Sequence, residues 1–322
     1  MSTLISHNTT EWLMKGDPAI RWQVMRDLLD EPAERWQAER NRIALEGWGR
    51  RLLDLQDENG LWANGIYSPK WTSTTYTLLL LWRFGLDQDN PKAKYGCQQL
   101  IDANCSEDGG IQFSKTWGHS ETCISGMVLA LASYFRLEDQ HTIRNLLQYL
   151  LGQQLDDGGW NCQSYDGDTH SSFHSTIIVL EGLLECIRSA GAHNGDAQRS
   201  CQRGREFFLR HRLYRSHRTG EIVKPVFTRF SFPPRWHHDV LRTLDHFQSS
   251  EAPFDSRLED PIAVVRQKQR KDRRFPLQNN HPGRVHFQME KPGKPSRWNT
   301  LRALRVLKWW EQIIPAEREP AE

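Results

Sequence analysis

The sequence predicts an all-α protein built as a single (α/α)6-type toroid, in which six inner helices form a ring inside a second set of helices. Three observations predict it. First, a Gly-containing turn recurs as Asp57-Glu58-Asn59-Gly60-Leu61-Trp62, Glu107-Asp108-Gly109-Gly110-Ile111 and Asp156-Asp157-Gly158-Gly159-Trp160. That spacing, about 50 residues, falls in the range of helical repeats. Second, the segment before each turn is one-sided, whereas the segment after it is apolar nearly all round. One-sided helices lie outside and uniformly apolar ones are buried. Third, no strand-like alternation competes over more than a few residues.

The elements follow in order. Residues 1–16 are expected to be a polar tail, residues 17–313 the toroid, and residues 314–322 a second tail. Inner helices are expected to begin near Pro18, Trp71, Thr122, Ser171, Arg235 and Ser296, with five outer helices between them. Outer segments include Trp48 to Leu55 and Leu146 to Leu151; inner runs include Thr75 to Trp82, Ile124 to Tyr134 and Thr176 to Ile187. Gly suits each turn because positive φ costs it nothing. Weaker turn copies lie at Arg218–Ile222 and Lys271–Phe275. An open stack of such units would be a solenoid. The shared apolar character of alternate helices favours closure around a central, aromatic-lined, largely apolar pocket. The loop Asn279 to Pro295 is long and Pro/Gly-rich, as lids and rims often are.

Composition narrows the function classes. The 322 residues carry a net charge of +2, so no basic field points to nucleic acid. No leader-like pattern opens the chain, and the longest apolar run, Leu78 to Trp82, is too short to span a bilayer. Peripheral membrane contact stays open. Six scattered cysteines without a CxxC pattern suit reduced thiols and a cytoplasmic location. No nucleotide cofactor is indicated. Thirteen Trp residues are many for this length and suit walls and pockets.

A toroid points the first turn of each inner helix at one mouth, so those turns are the expected site. Together they hold Trp71 and Thr74; His119, Glu121 and Cys123; Asp168, His170 and His174; His237, His238 and Asp239; and Arg297, Trp298 and Asn299. His170 and His174 stand four apart, as do His119 and Cys123, so each pair shares a helix face. Imidazole, thiolate and carboxylate together suit zinc, which makes Glu121, Cys123, His170 and His174 candidate ligands. Ordinary pocket histidines and helix caps are the alternative. Four inner helices open on a cation–Trp pair: Arg21-Trp22, Lys70-Trp71, Arg235-Trp236 and Arg297-Trp298. With Trp117, the indoles Trp22, Trp71, Trp236 and Trp298 form a candidate substrate wall, with Arg235 and Arg297 to hold an anionic head group. Helix wedges and solvated cations are the alternative. Asp168, His238 and Asp239 are candidate proton donors, or first-turn caps.

The turns Gln56…Gly60-Leu61-Trp62 and Gln153-Gln154…Gly159-Trp160 resemble the Gln–Trp repeats of squalene and oxidosqualene cyclases. The helix alternation resembles the β subunits of protein prenyltransferases, from about residue 45 onward. The resemblance implies the toroid. The Asp-x-Asp-Asp acid motif of the cyclases has no counterpart; the nearest string is Asp166-Gly167-Asp168-Thr169. Glu121-Thr122-Cys123 and Phe173-His174-Ser175 are similar to prenyltransferase zinc-ligand strings, which implies Glu121, Cys123 and His174 as ligands. The expected function is therefore an enzyme acting on an apolar, isoprenoid-like small molecule, with zinc at the ring mouth. A metal-free acid-initiated cyclase or lyase, and a non-catalytic lipid- or peptide-binding toroid, are the alternatives.

Overall fold

The computed structural model describes residues 5–102, 104–114, 118–190 and 194–315. Among them lie thirteen α-helices: α1 (His7–Met14), α2 (Pro18–Asp27), α3 (Ala33–Asn41), α4 (Gly47–Leu53), α5 (Thr74–Phe84), α6 (Pro91–Asp102), α7 (Thr122–Tyr134), α8 (Gln140–Gly152), α9 (Phe173–Ala190), α10 (Gly195–Arg210), α11 (Val240–Ser249), α12 (Glu259–Gln267) and α13 (Arg297–Ile313). Two-residue strands β1 (Phe275–Pro276) and β2 (Pro295–Ser296) pair antiparallel, Phe275 opposite Ser296.

The inner helices close a ring. Helix α5 packs on α7, α7 on α9, α9 on α11, α11 on α13, and α13 on α2. The last joint is made by Trp22 of α2, whose Nε1 donates to the Phe84 carbonyl at 2.7 Å, and by Gln23 Nε2 to the Arg83 carbonyl at 3.2 Å. The tightest packing, α7 on α9, depends on two glycines: a Cβ on Gly182 would stand 2.5 Å from the Gly126 carbonyl oxygen. Around the ring, α6 covers α5 and α7, α8 covers α7 and α9, α10 covers α9, and α12 covers α11. Residues 1–16 are not wholly a tail, since α1 forms within them and packs on α2.

The repeated turn is a repeated set of hydrogen bonds. The left-handed residue falls at Gly60, Gly109, Gly158 and Gly220, and at Arg273 in the degenerate copy. Two residues later, a backbone N–H donates to a hydroxyl on the next inner helix: Trp62 to Thr74 Oγ1 at 3.0 Å, Ile111 to Ser125 Oγ at 2.9 Å, Trp160 to Thr176 Oγ1 at 3.0 Å and Phe275 to Thr300 Oγ1 at 2.9 Å. The two Trp copies add matched bonds backward: Trp62 Nε1 to the Leu52 carbonyl at 2.7 Å and Trp160 Nε1 to the Leu150 carbonyl at 2.8 Å. Gln56 and Gln154 tie the same turns to the following outer helix through Lys92 and Ser200. These bonds tie each of these four turns to its inner helix and, in the Trp62 and Trp160 units, to the outer helices as well.

Three inner helices begin later than the sequence predicts. Helix α5 starts at Thr74, α9 at Phe173 and α11 at Val240. For α11 the reason is conformational: Arg235 takes φ +56, which no α-helix accommodates, and the helix waits for Asp239 to cap it at Arg242 N. These shifts decide which first-turn side chains converge.

Candidate functional site

The expected mouth is present, and it is covered. Trp71 donates through Nε1 to the Pro282 carbonyl at 2.9 Å and through its backbone N–H to the Arg284 carbonyl at 2.6 Å. His286 Nε2 meets Thr77 Oγ1 at 2.9 Å, and His281 stacks on His237 at 3.8 Å. The loop foreseen as a rim or lid therefore lies across the leading ends of the inner helices. Beneath it, Trp236 stacks on His237 at 3.6 Å, Arg235 lies 5.2 Å over Trp71, and His174 stands edge-on to both Trp236 and His237. Burial pushes His174 and His237 down to about 3 and His281 to about 4, so all three are neutral at pH 7. Trp71, Trp236, Arg235 and His174 do come together here, as packing beneath the loop.

The other expected mouth residues have separate employments. His170 is not on α9, because the helix begins three residues later, so its four-residue spacing from His174 does not give a shared face. It is exposed in the preceding loop, held through its carbonyl by Asn161 Nδ2. His119 likewise precedes α7 and stacks on Tyr165 at 4.0 Å. Glu121 Oε1 accepts the backbone N–H groups of Phe113 and Ser114. His174 Nδ1 accepts the His238 backbone N–H at 2.8 Å. Cys123 contacts Cys162. Among the described residues no group of three or more His, Cys, Asp or Glu is placed to hold a metal ion, and Glu121, Cys123, His170 and His174 are not gathered into one.

The three expected proton donors hold loops. Asp239 is buried and accepts from Ser231 N, Ser231 Oγ and Arg242 N. His238 is buried between the Leu213 carbonyl, which accepts its Nε2–H, and Thr243 Oγ1 at its Nδ1. Asp168 is exposed and accepts from Asn161. Arg297 donates to the Trp12 carbonyl and lies over the Trp12 ring. Trp117 lies outside the described residues.

A cavity of ≈370 Å³ occupies the ring's centre at the other end, reached from the carboxyl-terminal halves of the inner helices. All six inner helices line it, through Trp22, Arg83, Tyr134, Glu181, Arg242 and Trp298 among others. A second cleft of ≈610 Å³ adjoins it, sharing Trp22, Arg26, Tyr134, Glu185 and Arg188. The expected substrate-wall residues Trp22 and Trp298 belong to this cavity. Its wall is aromatic, as foreseen, but it is not largely apolar. Two arginine–carboxylate clusters cross it. Glu181 bridges Arg83 at 2.9 Å and Arg242 at 2.7 Å, and Asp245 bridges Arg302 at 3.2 Å and Arg305 at 2.6 Å. Arg305 also reaches Asp27 at 3.1 Å. Burial raises the Glu181 carboxyl, but Arg242 and Arg83 outweigh it and hold the group down at about 2. Burial in turn pulls Arg83 down to about 10, even with Glu181 beside it.

Three buried residues lining this cavity carry side-chain nitrogens with no hydrogen-bond partner among the described residues: His246 at both ring nitrogens, Arg302 at Nη2 and Trp298 at Nε1. Such groups are costly to bury without partners. Each is at most 4% exposed. Burial holds His246 at about 3, so at pH 7 its ring offers one donor and one acceptor. Glu185, on the same wall, is pushed up by burial against the pull of Arg188 at 2.9 Å. The sequence held one signal for this site: ionisable residues inside otherwise apolar inner helices, namely Arg83, Glu181, Glu185 and the Arg302–Arg305 pair.

Fold and cavity together define an α/α toroid with a polar centre. Compared with solved structures, the chain is similar to a glycosyl hydrolase family 88 protein from Bacteroides vulgatus, at TM-score 0.52 and 9% identity, covering 94% of this chain and 96% of that one. It is also similar to a polysaccharide lyase (TM-score 0.48, 11% identity, 93% and 92% covered) and to the type II terpene cyclase MstE from Scytonema (0.46, 15%, 93% and 90%). The glycosyl hydrolase likeness establishes the shared fold. Neither a protein-family model nor a curated protein sequence matches the chain. No helix among the described residues is long and apolar enough to cross a membrane.

Proposed function

We propose that the chain is an acid–base enzyme of the toroid class, acting on a small, polar, anionic substrate of carbohydrate type in the central cavity. The observation that carries this reading is the pair of arginine–carboxylate clusters crossing one aromatic cavity, whose lining residues Trp298, Arg302 and His246 also carry buried polar atoms without partners among the described residues. Three donors and a cluster in which two arginines share one carboxylate favour an oxygen-rich anion. An isoprenoid would leave these donors and ion pairs facing hydrocarbon, at a cost of about 1–3 kcal/mol for each unmet group.

Glu185, its carboxyl raised by burial against the pull of Arg188, is the candidate general acid for a leaving oxygen. Neutral His246, on the same wall, offers one donor and one acceptor. The test is turnover across acidic saccharides, neutral saccharides and prenyl diphosphates. Wild type is expected to turn over an acidic saccharide; Glu185→Gln loses at least 100-fold in kcat with KM little changed, the order expected for a general acid. Arg302→Met raises KM instead. Turnover of a prenyl diphosphate, unaffected by either substitution, would overturn the reading.

A further inference from the structure

The cysteines supply a second chemistry, away from the central cavity. Cys123 is the second residue of α7, and Cys162 lies in the loop between the Trp160 turn and α9. They are 39 residues apart in sequence, yet the Cys123 backbone N–H donates to Cys162 Sγ at 3.1 Å, and the two thiols are hydrogen-bonded to each other. Ser175 Oγ donates to the same sulfur at 3.4 Å and accepts the Cys162 backbone N–H at 3.3 Å. Cys162 Sγ thus collects donors from a helix N-terminus and a hydroxyl, and lies against Cys123. Its position is fixed on the N-terminal side by Trp160, whose backbone is anchored to Thr176. Both residues are half-buried, whereas Cys97, Cys186 and Cys201 are buried in the core and Cys105 is exposed and alone.

We propose that Cys123 and Cys162 form a peroxide-reactive dithiol, with Cys162 the attacking sulfur and Cys123 the resolving one. The co-reactant is a small hydroperoxide, hydrogen peroxide being the simplest. Cys162 sulfur attacks one peroxide oxygen; the O–O bond breaks and the departing hydroxide leaves as water with the thiol proton. Cys162 is then a sulfenic acid. Cys123 sulfur attacks Cys162 Sγ; the S–O bond breaks, the S–S bond forms and a second water leaves with the Cys123 proton. Two electrons pass from the dithiol to one peroxide, which yields two waters. The product ties the start of α7 to the entry of α9, the two most closely packed helices of the ring.

The experiment is peptide mapping without reductant, after brief exposure of the reduced full chain to hydrogen peroxide and alkylation of remaining thiols. The expected result in wild type is a Cys123–Cys162 cross-linked peptide that disappears with dithiothreitol. Cys123→Ser is expected to trap Cys162 as a sulfenic acid that dimedone labels, and Cys162→Ser to leave Cys123 unlabelled. Oxidation that reaches Cys105 first with no 123–162 link in wild type, or dimedone labelling of Cys123 in Cys162→Ser, would overturn the assignment. The wild-type arm needs no variant to fold.

Discussion

Replacing Glu181 with Gln tests the claim that the centre of the ring is ionised. The wild-type carboxylate lies between Arg83 and Arg242, and its folded pKa sits at about 2 against an ordinary value of 4.5. A depression of that size corresponds to roughly 3 kcal/mol of stability at neutral pH. Breaking a buried pair by removing one partner gives an independent figure of about 3–5 kcal/mol, and the two agree. The sign follows from the direction of the shift. A carboxyl with a depressed folded pKa contributes its full stability above 4.5 and loses it as pH falls towards 2. Glu181→Gln should therefore be about 3–5 kcal/mol less stable at pH 7, and the gap should shrink to roughly 1–2 kcal/mol near pH 3 and close near pH 2. Urea denaturation of both proteins across pH 2–8, followed by far-UV circular dichroism, measures it. A gap that stays constant with pH, or one below about 0.5 kcal/mol at pH 7, would refute an ionised centre.

Further predictions follow from the same geometry. Thr176→Val removes the acceptor for the Trp160 backbone N–H in a buried turn, and should cost about 1–3 kcal/mol in urea denaturation. Arg273→Gly relieves a left-handed residue in the degenerate turn, and should raise stability by up to ~1 kcal/mol rather than lower it as a helix-interior Gly would. Activity on an acidic substrate should fall as pH rises through the raised pKa of Glu185, because the donor must be protonated. In Glu185→Gln that alkaline limb should vanish from the kcat profile of the residual activity.

The fold was legible in the sequence because its unit repeats. Gly60, Gly109 and Gly158 mark the turns, and the hydroxyls that receive the turn N–H groups stand in the first turn of α5, α7 and α9. The alternation of one-sided and uniformly apolar segments follows from burial alone. The site was less legible, for two physical reasons. Spacing was counted along helices that begin later than expected, so His170 and His174 do not share a face, and Arg235's positive φ removes His237 and His238 from α11. The mouth itself is covered by a loop whose docking onto Trp71 depends on contacts more than 200 residues away in sequence, beyond any local pattern. Trp22 and Trp298 were found through their cation–Trp pairs, although what they line is a charged cavity. Glu181, Asp245, His246 and Arg302 were passed over because charged residues in an apolar helix look like an exposed stripe until the partner arginines are seen across the ring.

A crystal structure with an acidic monosaccharide soaked into the protein is the most direct test of where this toroid binds. The sugar's anionic group is expected in the central cavity, beside Arg302, Arg305 and His246. A sugar seated instead at the covered mouth, against Trp71 and His237, with the central groups untouched, would contradict it.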